Sequence, residues 1–116
     1  MDVLAILLLA LLPGLCVNTS IGNLALGAKT AQSSTFTFLG SAEHAVDGNS
    51  NSNFALGSCT HTNTEHNPWW RVDLGSDYTI SCVTITNRGD CCGEWISGAQ
   101  IRIGNSLHMN GNNNEL

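Results

Sequence analysis

The chain has 116 residues and a formal net charge of -5, and its basic residues are Lys29, Arg71, Arg88 and Arg102. Nucleic acids and anionic membranes are poor partners for such a chain, because both are recognised through a cationic surface. Charged residues make up only 11% of the sequence, while Asn, Ser, Thr and Gly are abundant. Neutral hydrogen-bonding side chains favour a neutral, polyhydroxylated ligand.

The first segment has the pattern of a secretory signal peptide. An uninterrupted apolar run from residue 3 to residue 12 is followed by Pro13-Gly14 and Cys16, and the run is too short to span a bilayer. We therefore predict a signal peptide at residues 1–16, with cleavage as late as Ser20 as the alternative. Residues 21–116 then form one secreted, extracellular domain.

The remaining chain has the signals of short strands. Trp70, Val72 and Leu74 alternate with Arg71 and Asp73, which predicts a strand with one buried and one polar face. We expect Arg71 and Asp73 to form an ordinary cross-strand pair.

Two further strands are predicted at residues 80–86 and 99–103, where β-branched residues alternate with polar ones, and no segment shows helical periodicity. Turn-rich loops separate these strands, a pattern typical of an antiparallel β-sandwich or jelly roll. The sequence stops inside a polar loop soon after a strand, so we expect the domain to lack its last strands at the C-terminus.

The cysteine content suggests a disulfide-bonded protein. Without Cys16, the residues Cys59, Cys82, Cys91 and Cys92 remain, and four cysteines allow three pairings. Zinc is the rival explanation, but adjacent cysteines chelate it poorly. A Cys91-Cys92 bridge would be a flat, rigid, apolar plate. Such a plate beside the Arg88 guanidinium and an imidazole from His61 suits a sugar, whose ring has an apolar face and whose hydroxyls accept hydrogen bonds.

Several segments in one order resemble the F-type lectins, the fucolectin family. They are Asn23 to Gly27, Ala45 to Asn49, Ser52 to Phe54, Gly57 to His61, Asn67 to Leu74 and Thr84 to Cys92. The resemblance covers nearly all of the chain after the signal peptide, but family domains continue for several tens of residues beyond its end. It implies a galactose-binding-domain-like jelly roll that binds L-fucose-containing glycans in innate immune recognition.

The resemblance also implies roles for individual residues. His61 and Arg88 would hydrogen-bond fucose hydroxyls, and Asp90 would orient the arginine. Cys91 and Cys92 would form a vicinal disulfide against the sugar ring. Phe54 would line the pocket for the fucose methyl group.

Two other positions bear on the same family pattern. Trp95 stands where the family has a second basic residue, and an indole cannot copy a guanidinium, although it can stack on a sugar face. Cys59 resembles a family cysteine whose partner lies beyond the end of this chain, so Cys59 is either free or paired with Cys82.

A calcium site is the second implication of the resemblance. It would use side chains at Asp47 and Asn49, with backbone or hydroxyl oxygens from His44 and Ser58, and Ca²⁺ prefers such oxygen ligands. The alternative at Asp47-Gly48-Asn49 is a plain turn closed by its own side chains.

Other function classes have less support. Arg88-Gly89-Asp90 also spells an adhesion tripeptide, but the lectin interpretation uses Arg88 and Asp90 for the sugar. No nucleophile elbow or hydrolase carboxylate pair is recognisable, so we expect a binding protein and not an enzyme. The alternative to a lectin is a truncated structural fragment that does not bind sugar. A homo-oligomer is a possible assembly, because single sugar sites bind weakly.

Overall fold

The computed structural model describes residues 3–5 and 22–116. The strands in these residues are β1 (Val3–Ala5), β2 (Lys29–Gln32), β3 (Trp70–Asp73) and β4 (Arg102–Gly104). They form one antiparallel sheet in the order β2-β3-β1-β4. Short 3-10 helices lie at Phe38–Gly40, Ala42–Val46, Phe54–Leu56, Gly93–Ile96 and His108–Gly111. The antiparallel β class predicted from the sequence is confirmed.

Strand β3 is the strand that the sequence pattern marks most clearly, and it carries the core. Val72 is completely buried and packs with Val46, which is 4% exposed. Trp70 lies against the same cluster, and its indole Nε1 donates a hydrogen bond to the Ala42 carbonyl oxygen at 2.9 Å. The alternation of apolar and polar residues therefore places β3 as predicted.

Strand β1 lies between β3 and β4 in the sheet. Val3 pairs with Asp73 on one side, and Leu4 pairs with Ile103 on the other. These residues belong to the predicted signal peptide, so its removal would leave β3 and β4 without the strand that joins them. The predicted cleavage positions after residues 16 and 20 lie outside the described residues, and the domain boundaries stay a prediction.

The strand predicted at residues 80–86 is wrong, since the structure assigns no strand there. Val83 does pack against the core, and Val83 and Ile85 are less exposed than Thr84 and Thr86. Alternating burial is therefore present without a neighbouring strand, and a strand also needs a partner for its backbone hydrogen bonds. The strand predicted at 99–103 begins only at Arg102.

Candidate functional site

His61 is held by backbone hydrogen bonds to two parts of one earlier loop. Its N–H donates to the Gly40 carbonyl oxygen at 2.9 Å, and its carbonyl oxygen accepts from the Phe36 N–H at 2.9 Å. A Cβ on Gly40 would lie 2.7 Å from the Cβ of His61, so only glycine permits this approach. The loop from Phe36 to Gly40 thereby fixes the position of the imidazole.

The His61 ring has a defined hydrogen-bonding state. Its Nδ1 lies 2.6 Å from the Thr62 carbonyl oxygen, and a carbonyl can only accept, so Nδ1 carries the proton. In the neutral ring, Nε2 is then left as an acceptor, which is the group needed to receive a hydrogen bond from a hydroxyl.

Three aromatic rings surround this imidazole. Phe36 stacks on it with the ring centroids 4.7 Å apart, Phe54 lies tilted at 5.2 Å, and Trp95 meets it edge-on at 5.7 Å. Such contacts restrict rotation of the His61 side chain. The imidazole is therefore rigidly placed within an apolar wall.

Arg88 and Asp90 form a bidentate ion pair. The Arg88 Nε donates to Asp90 Oδ1 and its Nη2 donates to Oδ2, both at 2.9 Å. The guanidinium also lies over the Phe54 ring, with its Cζ 4.7 Å from the centroid. Asp90 Oδ1 in turn accepts from the Phe54 N–H at 3.1 Å. Because the pair uses two of the five guanidinium N–H groups, three remain for a ligand.

The ion pair changes the protonation equilibria of both residues. The hydrogen bonds from Arg88, and then the one from the Phe54 N–H, hold the pKa of Asp90 well below its usual range. The hydrogen bonds to Asp90 also raise the pKa of Arg88. Asp90 is therefore ionised at every physiological pH and keeps the guanidinium oriented.

A close backbone contact positions the turn between Arg88 and Asp90. The Gly89 N–H donates to the Ser52 carbonyl oxygen at 2.8 Å, and a Cβ on Gly89 would lie 2.7 Å from the Ser52 hydroxyl oxygen. The glycine of the Arg-Gly-Asp tripeptide is thus needed for packing. Since the Arg88 and Asp90 side chains bind each other, the geometry does not present them separately for adhesion.

The adjacent cysteines are joined. A disulfide links Cys91 and Cys92, and Cys92 adopts a left-handed backbone conformation with φ of 62°. The 3-10 helix Gly93–Ile96 follows at once, and the Trp95 N–H donates to the Cys92 carbonyl oxygen at 3.0 Å. The bridge predicted from the sequence is therefore present, and it anchors the helix that carries Trp95.

The state of Cys59 decides between a free thiol and a Cys59–Cys82 bridge. It carries a free thiol, so the Cys59–Cys82 pairing is wrong. Within the described residues, the Ser58 hydroxyl oxygen lies 3.9 Å from the Cys59 sulfur and is its hydrogen-bonding neighbour.

The structure brings all the predicted sugar-binding residues together. Contacts join Phe54, His61, Trp95, Arg88 and Asp90, and Cys91 and Cys92 follow Asp90 directly in the chain. Sequence reasoning missed Phe36, which stacks on His61 from 25 positions earlier. No spacing in the sequence signals that contact, because it depends on how two loops meet.

The predicted metal ligands lie along one neighbouring loop. Asp47 Oδ1 accepts from the Asn49 N–H at 2.8 Å. Residues 47–49 therefore form the turn closed by its own side chain that the sequence predicts as the alternative to a calcium site. The His44 ring is directed elsewhere, since its Nδ1 donates to the Leu39 carbonyl oxygen at 2.7 Å. Ser58 is buried, and its hydroxyl donates to the carbonyl oxygens of Asn51 and Asn53.

The same turn repeats every second residue along this loop. Asn49 accepts from the Asn51 N–H, Asn51 from Asn53 and Asn53 from Ala55, at 3.1, 2.9 and 3.0 Å. Within the described residues, no three His, Cys, Asp or Glu side chains cluster as metal ligands. The loop nevertheless concentrates carboxylate, carboxamide, carbonyl and hydroxyl oxygens, the donor types that fit Ca²⁺.

The chain is similar to galactose-binding domains and to fucolectins. A family model described as a NedA-like, galactose-binding domain of the F5/F8 type C group matches residues 44–116, in agreement with the antiparallel β architecture. Fucolectin from Anguilla anguilla is 66% identical over 73 residues, which are 63% of this chain and 46% of that protein. Fucolectin-4 from Anguilla japonica is 58% identical over 96 residues, covering 79% of this chain and 53% of the relative.

A solved structure agrees with these relatives. The crystal structure of an F-lectin (fucolectin) from striped bass (Morone saxatilis) serum superimposes with a TM-score of 0.78 and 53% sequence identity. The match covers 80% of this chain and 32% of that one. The chain therefore belongs to the F-type lectin family. It spans about half the length of the curated relatives that it matches.

Proposed function

We propose that this chain is a secreted lectin that binds L-fucose-containing glycans. The observation that carries the proposal is the Arg88–Asp90 ion pair, which rests on Phe54 beside His61 and the Cys91–Cys92 bridge. Oriented donors, an oriented acceptor and a flat apolar plate are together what recognition of a pyranose requires. The fucolectin names of the relatives, which denote lectins and not enzymes, support the same class.

Each group has a distinct task in this proposal. The three unused N–H groups of Arg88 donate to sugar hydroxyls, while Nε2 of His61 accepts from one. Asp90 contributes by holding the guanidinium, because charge-assisted bidentate bonds fix its plane. The disulfide covers the apolar face of the sugar ring, and the exposed part of Phe54 receives the methyl group.

Calcium belongs to the proposal as a stabiliser of the neighbouring loop. Side-chain oxygens of Asp47 and Asn49, with the backbone carbonyl of His44 and the hydroxyl of Ser58, would hold the ion. The bound ion would supply positive charge that fixes the loop oxygens. This loop leads directly to Ser52 and Phe54, which contact Gly89 and Asp90.

We also propose that the chain is secreted, acts in innate immune recognition and assembles into homo-oligomers. The apolar leader supports secretion, and the striped bass relative comes from serum. No helix in residues 22–116 has the length and apolar character needed to cross a membrane. Multivalent display would raise the avidity of a weak single site.

Titration calorimetry of the secreted chain with L-fucose, D-galactose and D-mannose tests the function. We expect binding of L-fucose alone among these sugars, abolished by Arg88→Ala. Arg71→Ala is the matched control, because Arg71 also lies over an aromatic ring, Trp69 at 5.4 Å, but outside the site. Equal fucose binding by wild type and Arg88→Ala would contradict the proposed site.

The second candidate function is a structural fragment without sugar binding. The observation that favours it is Trp95, an indole that stands where the family has a second basic residue. In that case the titration with L-fucose gives no heat, and a glycan array gives no fucosylated hits, although the chain melts cooperatively.

A further inference from the structure

Gln32 lies at the end of strand β2 and uses both the nitrogen and the oxygen of its side-chain amide. Its Nε2 donates to the Thr35 hydroxyl oxygen at 2.8 Å and to the Gly40 carbonyl oxygen at 2.9 Å, and its Oε1 accepts from the Thr60 hydroxyl. Both amide N–H groups are therefore bonded, since a carboxamide has two donors. The backbone of Gln32 is paired with Trp70 of β3, so the amide is carried by the sheet and not by a loop.

These bonds reach the backbone of His61 from two directions. Thr60 directly precedes His61 in the chain. The Gly40 carbonyl oxygen accepts from Gln32 Nε2 and from the His61 N–H, each at 2.9 Å, and it can accept both because it has two lone pairs. Gln32 thus closes a ring of hydrogen bonds that joins the sheet to the segment that carries the imidazole.

We propose that Gln32 is a positioning residue for fucose recognition, and that it holds the His61 backbone where Nε2 of the imidazole can accept from a sugar hydroxyl. This role rests on the proposed function and adds a residue outside the sugar-binding set. The partners of the Gln32 amide are two hydroxyls and one backbone carbonyl, so its effect reaches the sugar through His61. A side chain supported from a strand is placed more precisely than one supported by a loop alone.

The placement of this backbone also affects which ring nitrogen of His61 carries the proton. Nδ1 donates to the carbonyl oxygen of the next residue, Thr62, and this contact requires a particular backbone conformation at the two residues. The nitrogen that donates such a bond keeps the proton, and the other nitrogen is left as the acceptor. Loss of the Gln32 bonds should therefore let the ring populate the opposite tautomer, in which Nε2 carries the proton and cannot accept.

Titration calorimetry of the full chain with L-fucose and ligand-free nitrogen NMR of the His61 ring test the role. In Gln32→Ala we expect fucose affinity to fall about fivefold, as for the loss of a neutral hydrogen bond, and the share of the Nε2–H tautomer to rise. Gln32→Glu keeps the shape but places a carboxylate oxygen against the Gly40 carbonyl oxygen, so it should reproduce both effects. Gln100→Ala is the matched control, because Gln100 also holds a side chain, Arg102 at 3.0 Å, but Arg102 lies in β4 at the opposite edge of the sheet from β2.

The Thr60 hydroxyl provides a test that leaves Gln32 in place. Thr60→Val keeps the shape and removes the donor to Gln32, whereas Thr60→Ser keeps the hydroxyl. We expect Thr60→Val to weaken fucose binding and Thr60→Ser to bind as the wild type does. Gln32→Ala combined with Thr60→Val should lose less affinity than the two single losses predict, because both residues belong to one network.

The two readouts separate failure of this role from failure of the proposed function. Unchanged affinity or an unchanged tautomer in Gln32→Ala would overturn the role of Gln32 while fucose binding stands. An equal loss of affinity in Gln100→Ala would also overturn it, since general destabilisation would then explain the loss. Absence of fucose binding in the wild type would overturn the proposed function and the role in recognition with it, whereas the tautomer of His61 is measured without ligand.

Discussion

Arg88 and Arg71 lie in two regions that share an arginine–aromatic contact and differ in the hydrogen-bond partner of the guanidinium. Each guanidinium lies over an aromatic ring, Arg88 over Phe54 at 4.7 Å and Arg71 over Trp69 at 5.4 Å. Arg88 binds the carboxylate of a residue two positions away, whereas Arg71 donates to the neutral Asn110 side chain, 39 positions away, at 3.0 Å. The first contact orients a charge, and the second ties β3 to the C-terminal segment.

The surroundings of Arg71 agree with a structural role. Arg71 lines a groove of about 170 Å³ together with Lys29, Thr30, Ala31, Asp73 and Leu107, and none of the predicted sugar-binding residues is among them. Arg88 instead has an ionised partner, a supporting ring and donors left over. A preorganised charge with unused donors is what the proposed fucose site requires of Arg88.

Removing the partner of each arginine should break the two regions in different ways. In Asp90→Ala, Arg88 loses its bidentate support, and fucose affinity should fall about ten- to a hundredfold, which corresponds to about 1.5–3 kcal/mol. Asn110→Ala should leave fucose affinity unchanged and lower stability by about 1 kcal/mol. Calorimetry and denaturant unfolding measure the two effects. Comparable loss of affinity in both variants would contradict the distinction.

Calcium offers a second contrast, because both regions contain an aspartate that closes the same turn. Asp47 accepts from the Asn49 N–H and Asp73 from the Gly75 N–H, each at 2.8 Å. Calcium at a hundredfold excess over its Kd should stabilise the chain by about 2.7 kcal/mol and raise Tm by roughly 10–20 °C. Asp47→Ala should remove this increment, and Asp73→Ala should retain it. A melting curve that calcium does not move in the wild type points to a plain turn.

The Cys91–Cys92 bridge should affect only the Arg88 region. Replacing both cysteines by serine removes the plate and loosens the helix that carries Trp95, so fucose affinity should fall by about fivefold, close to 1 kcal/mol. The control variant is Cys59→Ser, which removes the free thiol and leaves the bridge intact. Fucose affinity is measured for both variants. Non-reducing peptide mapping checks the pairing, and recovery of Cys59 linked to Cys91 or Cys92 would rule out the vicinal bridge.

The smallest expected effect is the acid response of Asp90. Its folded-state pKa lies below the unfolded value of about 3.9, so the ion pair contributes fully above that value and is lost only as the pH falls through the lower, folded-state pKa. Carboxyl carbon NMR should therefore show that Asp90 is still ionised when the pH has been lowered to just below about 4. In Arg88→Ala the residue should titrate at a higher pH. Identical titration in both proteins would show that Arg88 does not hold Asp90.

Local patterns of the sequence predicted part of this molecule well. The β3 alternation predicted the buried Val72, and the adjacent cysteines predicted the Cys91–Cys92 bridge. The strand at 80–86 failed, because alternating burial does not reveal whether a neighbouring strand is available. The expected Arg71–Asp73 pair also failed, since Asn110 and the Gly75 N–H are the partners found.

By itself the sequence determined the contacts between residues that are neighbours in the chain. The Arg88–Asp90 pair, the Cys91–Cys92 bridge and the Asp47 turn span two residues or fewer, so local backbone geometry suffices to form them. Only the tertiary structure decided that Phe36 stacks on His61, as that contact requires two loops to meet through backbone hydrogen bonds at Gly40 and Phe36. Backbone groups look alike in every residue, and no side-chain pattern records where such loops join.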